Sequence, residues 1–428
     1  MASCSEDLAF RELVYQTSDP VLFELLDRGG LVVYVGFDPT SDSLHAGNLL
    51  QLCLLRRLQL AGHRPIVVAG GGTGRIGDPG GKDAERPMLT AEQIEANLAG
   101  IRPQLERFLD FSPGDGDRSA LLLDNASWLD DLPLVDFLRD VGKHFTVNQM
   151  VARDSVRSRF ERAEQGISFT EFSYMLVQAY DFLTLFDRYG CRVQLGGSDQ
   201  WGNIVSGVEL IRRARGATAY ACTTPLVTKA DGTKFGKSES GAVWLDAAKT
   251  SPYAFYQFFY RTEDAVVGAY LKMFTFLDRV EIEALELAVR ERPQQREAQR
   301  ALARAVTSLV HGEDETTRAE RAAAALYSED VVTLDEATLL MVAADAPVTE
   351  LRRADLDAGG LDVAAALALS GLSPSRGAAR QAIAQGGAYV NNRRVPADGA
   401  VLGAGELIAG SYVLLRRGRR DLRLLHVT

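Results

Sequence analysis

Three consecutive segments, LVVYVGFD (31–38), AGNLLQLCLLRRLQLAGH (46–63) and PIVVAGGG (65–72), leave this chain few folds to choose from. The first and third are short apolar runs of strand type; the second is a helical run stopped by Gly62. LLLDN (121–125) and RVQLGG (192–197), short apolar runs with polar or glycine ends, continue the alternation. Strands alternating with helices predict an α/β fold built on a doubly wound parallel sheet, whose ligands sit beyond the carboxyl ends of the strands.

The 428 residues suffice for two or three domains. From about 251 to 351 the strand signal fades and Arg, Glu and Ala dominate, as in REAQRALARAVTSLVHGEDETTRAERAAAALYS, which predicts a helical domain. Paired glycines among charges in DLDAGGLDV (355–363) mark a linker. The last segment, LALSGLSPSRGAARQAIAQGGAYVNNRRV, reads as a short helix, a Gly-Gly turn and a short strand. The expected division is an α/β domain over 1–225, a loop and connector over 226–250, a helical domain over 251–352, a linker over 353–360 and a small α+β domain over 361–428.

No apolar run is long enough to span a bilayer, and MASCSEDLAF lacks the basic-then-apolar order of a signal peptide, so a cytoplasmic location without membrane attachment is expected. Cys4, Cys53, Cys191 and Cys222 are scattered, which predicts neither a zinc site nor a disulfide framework. The net charge is −10, yet from Leu361 onward nine arginines face four acidic residues. A basic module on an acidic body is a handle for a nucleic-acid backbone.

Two phosphate-binding signatures are nearly present. In ADGTKFGKSES (230–240), Gly236-Lys237-Ser238 ends like a P-loop, but the nearest upstream glycine, Gly232, leaves three spacers rather than the four required, and no helical pattern follows. Lys229, Lys234 and Lys237 are then either solvated charges or cations used in another way. Gly72-Thr73-Gly74-Arg75-Ile76-Gly77 matches G-x-G-x-x-G, but Asp78-Pro79-Gly80-Gly81 follows where a helix is needed, so a hydride-transfer cofactor is not expected. That loop still carries Lys82 and Arg86 past a strand end.

Other constellations are better placed. In PTSDSLHAGN (39–48), His45 precedes a helix whose N-terminus presents N–H groups, and Asn48 follows on the same face. Tyr174, Gln178 and Asp181 form one polar stripe on a helix rich in Phe, Leu and Met. A solvated face would carry Lys and Glu; a phenol, an amide and a carboxylate are directional donors and acceptors. Ser198-Asp199-Gln200 opens another turn into a helix and is equally a plain cap.

Together these segments resemble the bacterial-type tyrosyl-tRNA synthetases, class I enzymes with a Rossmann-like catalytic domain. PTSDSLHAGN is similar to the HIGH signature and KFGKS (234–238) to KMSKS. TGRIGDPGGK, the Tyr174/Gln178/Asp181 helix and QLGGSDQWGNI (194–204) resemble the family's substrate segments, and the C-terminal part is similar to an S4-type RNA-binding domain. The resemblance implies activation of L-tyrosine by ATP with Mg²⁺, no tightly bound cofactor, transfer to tRNA-Tyr and a homodimer. It implies Thr40, His45 and Asn48 at the phosphates, with Lys82 and Arg86 assisting and Lys234, Lys237 and Ser238 in the pyrophosphate loop. Gly36, Asp38, Gly47, Asp199 and Gln200 would complete the ATP site. Tyr34 and Asp181 would meet the tyrosine hydroxyl, and Asp78, Tyr174, Gln178 and Gln194 its ammonium end. Arg376, Arg380, Arg393 and Arg394 would meet tRNA. Asn48 stands where HIGH has histidine, and Phe235 and Gly236 stand where KMSKS has Met and Ser.

Buried partners for a hydroxyl reject phenylalanine because they would be left unpaired, an effect for which tyrosyl-tRNA synthetases are the known example. The alternatives are a tryptophanyl-tRNA synthetase, a smaller nucleotidyltransferase, and a non-catalytic RNA-binding relative. The glycine-bearing loop 231–238 has no packing pattern in the sequence and is expected to move.

Overall fold

The computed structural model describes residues 3–76, 89–113, 118–151, 153, 156, 167–238, 241–326, 328–343, 346–357, 359–418 and 421–428. The chain divides into two compact units, Met1–Lys249 with Phe259–Val310, and Thr250–Phe258 with His311–Thr428.

The first unit is built on a six-stranded sheet: β1 (Gln16–Thr17), β2 (Val32–Phe37), β3 (Arg64–Ala69), β4 (Leu121–Asp124), β5 (Cys191–Gly197) and β6 (Tyr220–Thr224), in the order β1-β6-β5-β2-β3-β4. Strands β2 to β6 pair in parallel, and β1 closes one edge antiparallel to β6. The expected class is therefore observed, with an antiparallel edge added. Sequence reading missed β1 because two polar residues carry no periodicity, and β6 because YACTT mixes small and polar side chains. The chain order reverses between β2 and β5, which opens a crevice at their carboxyl ends.

The Leu49–Leu60 helix is buried nearly all round. The Phe169–Tyr189 helix begins at a capping box between Ser168 and Glu171 and ends at Gly190, whose φ of 66° suits a left-handed cap. Phe182 and Leu185 of this helix join Tyr34, Ile66 and Val68 in the sheet's core.

Among the described residues between 251 and 347 only helices occur, including Asp264–Phe274 and Arg279–Glu291. In the second unit a five-stranded sheet, including Ala388–Val390, Tyr412–Arg417 and Asp421–Val427, packs with the Val363–Leu369 and Arg376–Ala384 helices around one apolar core. Val348–Leu351 joins its edge, parallel to Leu424–Val427. Among the described residues no helix is long and apolar enough to cross a membrane.

Candidate active site

A cavity of about 460 Å³ opens at the carboxyl ends of β2 and β5. Side chains at alternate positions of an extended chain share a face, so β2 and its extension deliver Tyr34, Gly36 and Asp38 to the cavity. Thr40, His45, Asn48, Tyr174, Gln178, Asp181, Gln194 and Gln200 also line it. The polar stripe of the Phe169–Tyr189 helix is thus turned inward: Tyr174 and Asp181 are 5% and 4% exposed.

The blind end is organised around Asp181. One carboxylate oxygen accepts from Trp128 Nε1 at 2.8 Å and the other from Asn125 Nδ2 at 3.0 Å. Burial pushes its pKa up to about 7, helped by the charges of Asp38 and Asp124 and opposed by the two donated hydrogen bonds. Asn125 also donates to Thr73 Oγ1, and Thr73 to Asp38 Oδ1, both at 3.1 Å. Tyr174 donates to the other Asp38 oxygen at 3.3 Å. Tyr34 is 2% exposed, and its hydroxyl has no hydrogen-bond partner among the described residues; Gln194 Oε1 is in the same position. Burial, and secondarily the Asp181 charge, holds the Tyr34 phenol well above its ordinary pKa, so it stays a donor.

At the other end the turn before the Leu49–Leu60 helix is locked by its own side chains. His45 N donates to Asn48 Oδ1 and Gly47 N donates to His45 Nδ1, each at 3.0 Å. With Nδ1 accepting, the neutral ring carries its proton on Nε2. Asn48 therefore caps the turn as well as lining the cavity.

The KFGKS loop is docked, contrary to the expectation of a segment without packing. Phe235 is 8% exposed. Its ring lies 5.0, 5.1 and 5.8 Å from those of Tyr270, Phe274 and Phe259. A Cβ on Gly236, at φ 94°, would come within 2.7 Å of Gly47 N, so only glycine permits this approach. The anchoring phenylalanine lacks a sequence signal because its cage is supplied by helices further along the chain.

Gly47 and Asp199 do not line the cavity. Gly47 lies beneath the His45 ring, and Asp199 sits in the Ser198–Gln200 turn. Lys234 is exposed. The Lys237–Ser238 backbone pairs antiparallel with Gly241–Ala242. Asp78, Lys82 and Arg86 lie outside the described residues. Arg376, Arg380, Arg393 and Arg394 are all exposed in the second unit. There Arg393 pairs with Glu329 at 3.1 Å, and Arg416, 4.0 Å over the Tyr389 ring, adds a stacked guanidinium. Among the described residues no group of three His, Cys, Asp or Glu converges as a metal site.

Asn125, Trp128, Thr73, Gln51 and Trp244 also belong to the cavity or to its hydrogen bonds and were not singled out from sequence. The usable signal for Asn125 was its place just past the carboxyl end of β4; nothing in the sequence aims the Trp128 indole at Asp181.

Residues 27–328 match the family described as "tRNA synthetases class I (W and Y)", and residues 342–425 match the "Tyrosine--tRNA ligase SYY-like C-terminal domain". The chain is 53% identical over 427 residues to a tyrosine–tRNA ligase of Roseiflexus castenholzii, covering 100% of both chains. It is 51% identical over 421 residues to that of Bacillus caldotenax, covering 98% of each. Among solved structures, a C-terminally truncated Aspergillus nidulans mitochondrial tyrosyl-tRNA synthetase superposes with a TM-score of 0.65 at 34% identity, over 75% of this chain and 93% of that one.

Proposed function

The chain belongs to the class I tRNA synthetases of the tryptophan and tyrosine group, and from that premise we propose that it joins L-tyrosine to tRNA-Tyr in two steps. The tyrosine carboxylate attacks the α-phosphorus of ATP, forming tyrosyl-adenylate as the bond to pyrophosphate breaks. A terminal hydroxyl of the tRNA then attacks the carbonyl carbon, taking the tyrosyl group and releasing AMP. The nucleophile of the first step is already an anion, so the protein's work is positioning and stabilisation of charge on the departing pyrophosphate.

One observation carries the choice of tyrosine: a buried Tyr34 hydroxyl without a partner among the described residues, in the same closed end of the cavity as the Asp181 carboxylate. A phenol satisfies both, donating to Asp181 and accepting from Tyr34. A phenyl ring satisfies neither. Tyr174, Gln178, Gln194 and Asp78 are assigned to the substrate ammonium at the other end of the amino acid.

At the opposite end His45, donating from Nε2, Thr40 and Asn48 are assigned to the phosphates. Gly36, Asp38, Gly47, Asp199 and Gln200 are assigned to the rest of ATP, and Lys234, Lys237, Ser238, Lys82 and Arg86 to the pyrophosphate. ATP enters as its magnesium complex, the ion needing no dedicated protein cage. The 251–352 and 361–428 regions are assigned to tRNA, the latter through Arg376, Arg380, Arg393 and Arg394. Leu134, Val135, Leu138, Val147 and Phe169, each more than half exposed, favour a homodimer that covers them. The enzyme is assigned to the cytoplasm.

Exchange of pyrophosphate into ATP, measured with each of the twenty amino acids, tests the reading. Tyrosine alone should support it. Exchange with tryptophan would identify the sister activity, and exchange with none would overturn the enzymatic reading.

A further inference from the structure

We propose that Trp244 is a positioning residue for His45: its indole, braced by Lys249 and Asp42, holds the imidazole toward the ATP phosphates and couples it to the lysine-bearing loop. The inference rests on the reading of the cavity as the site of adenylate formation.

The segment that leaves the loop runs antiparallel to the His45 turn. Ala46 N donates to Val243 O at 2.7 Å and Leu245 N donates to Leu44 O at 2.8 Å, with His45 and Trp244 directly opposite each other. In this pattern the two facing residues exchange no backbone bond of their own, which is the arrangement that brings opposed side chains closest. Their ring centroids lie 6.2 Å apart at 60°, inside the range of favourable tilted aromatic pairs. Trp244 itself lines the cavity.

The indole is held in turn. Lys249 Nζ lies 5.1 Å from its centroid and forms an ion pair with Asp42. The hydrogen bond from Lys249 holds the Asp42 carboxyl below the ordinary range. With side chains 32% and 51% exposed, this pair adds little to stability. Its geometric effect is larger, because Asp42 belongs to the same turn as His45 and the brace closes a ring of contacts through Lys249 and Trp244.

Such a ring matters for the chemistry. His45 accepts from Gly47 N at Nδ1; a wall on the flank of its ring limits the directions in which Nε2–H points. Donors that stabilise developing phosphate charge act through their fixed aim. The connection also reaches the loop, since Val243 N donates to Gly236 O at 3.1 Å. Movement of the loop and orientation of His45 are therefore joined through one strand.

Single-turnover adenylate formation and steady-state exchange in the full-length enzyme test this. Trp244→Ala should lower the activation rate about two- to tenfold, with KM for tyrosine and the thermal unfolding midpoint unchanged. Trp244→Phe should restore most of the rate, and Lys249→Met should lower it in the same direction by less. The deciding measurement is a double-mutant cycle: in a His45→Ala background, Trp244→Ala and Lys249→Met should each cost nothing further. Losses that multiply with His45→Ala, or a parallel rise in KM for tyrosine, overturn the proposal. If Trp244→Ala does not fold, the Lys249→Met cycle decides alone. Absence of tyrosine-dependent exchange in the wild-type enzyme is a different result, since it rejects the functional reading itself.

Discussion

Asp181 shows how one residue carries both recognition and a pH response. Its carboxyl titrates near 7 in the fold, well above an unperturbed aspartate. The native state then binds a proton that the unfolded chain has already lost between about pH 4 and 7. This contribution to stability is complete below the unfolded pKa and is lost as pH rises through about 7. Catalysis runs the other way, because the carboxylate accepts from a substrate phenol more strongly than the protonated carboxyl does. kcat/KM for tyrosine should fall as pH drops through about 7, and Asp181→Asn should flatten that limb at a lower rate; an unchanged pH profile would remove Asp181 from the recognition site. Tyr34→Phe should narrow the preference for tyrosine over phenylalanine by roughly tenfold, read as the ratio of kcat/KM values. His45 and Asp181 were legible because strand-end position and a polar stripe on an apolar helix are local signals, whereas Tyr34 entered only through the family resemblance. Trp128 and Asn125 were not legible, because donors to a buried carboxylate are chosen by packing between elements distant in sequence.

At the scale of elements, the β2 strand, the Leu49–Leu60 helix and β3 were readable from periodicity alone, and the tyrosine-bearing helix from its apolar faces. The KFGKS loop was misread as unanchored, since the four aromatic rings that meet there come from residues 235, 259, 270 and 274. Removing the anchor should matter more than reshaping it. Phe235→Ala is expected to slow adenylate formation at least fivefold with little change in KM for tyrosine, whereas Phe235→Met, close in volume, should retain most of the rate. Gly236→Ala forces a Cβ toward the Gly47 backbone and should expose the loop to limited proteolysis; identical cleavage of variant and wild type would show that the close approach is dispensable. At the helix start, Ser168→Ala removes a capping bond and should cost about 1 kcal/mol of stability in denaturant unfolding.

For the whole molecule, the charge distribution read from sequence separates an acidic body from a basic tail, where Arg376, Arg380, Arg393 and Arg394 are exposed. The fold refines where the chain is to be cut. Val348–Leu351 pairs with Leu424–Val427, so a truncation at residue 356 strands an unpaired edge, and one ending at Pro347 does not. That shorter chain should keep tyrosine-dependent pyrophosphate exchange and lose tRNA charging. Equal loss of both would assign the tail a structural role. Composition offered no sign of the added Val348–Leu351 edge because VTEL is too short and too polar to stand out from its helical surroundings.

The closed end of the cavity has a further consequence, for substrates more acidic than tyrosine. A substrate phenolate there would face Asp181 carboxylate with no described lysine or arginine lining the cavity, an unfavourable pairing of like charges. The pocket therefore selects by acid strength as well as by shape. Ring-fluorinated tyrosines, close to tyrosine in size, should lose exchange activity as pH rises through each analogue's own phenol pKa, the most acidic failing first.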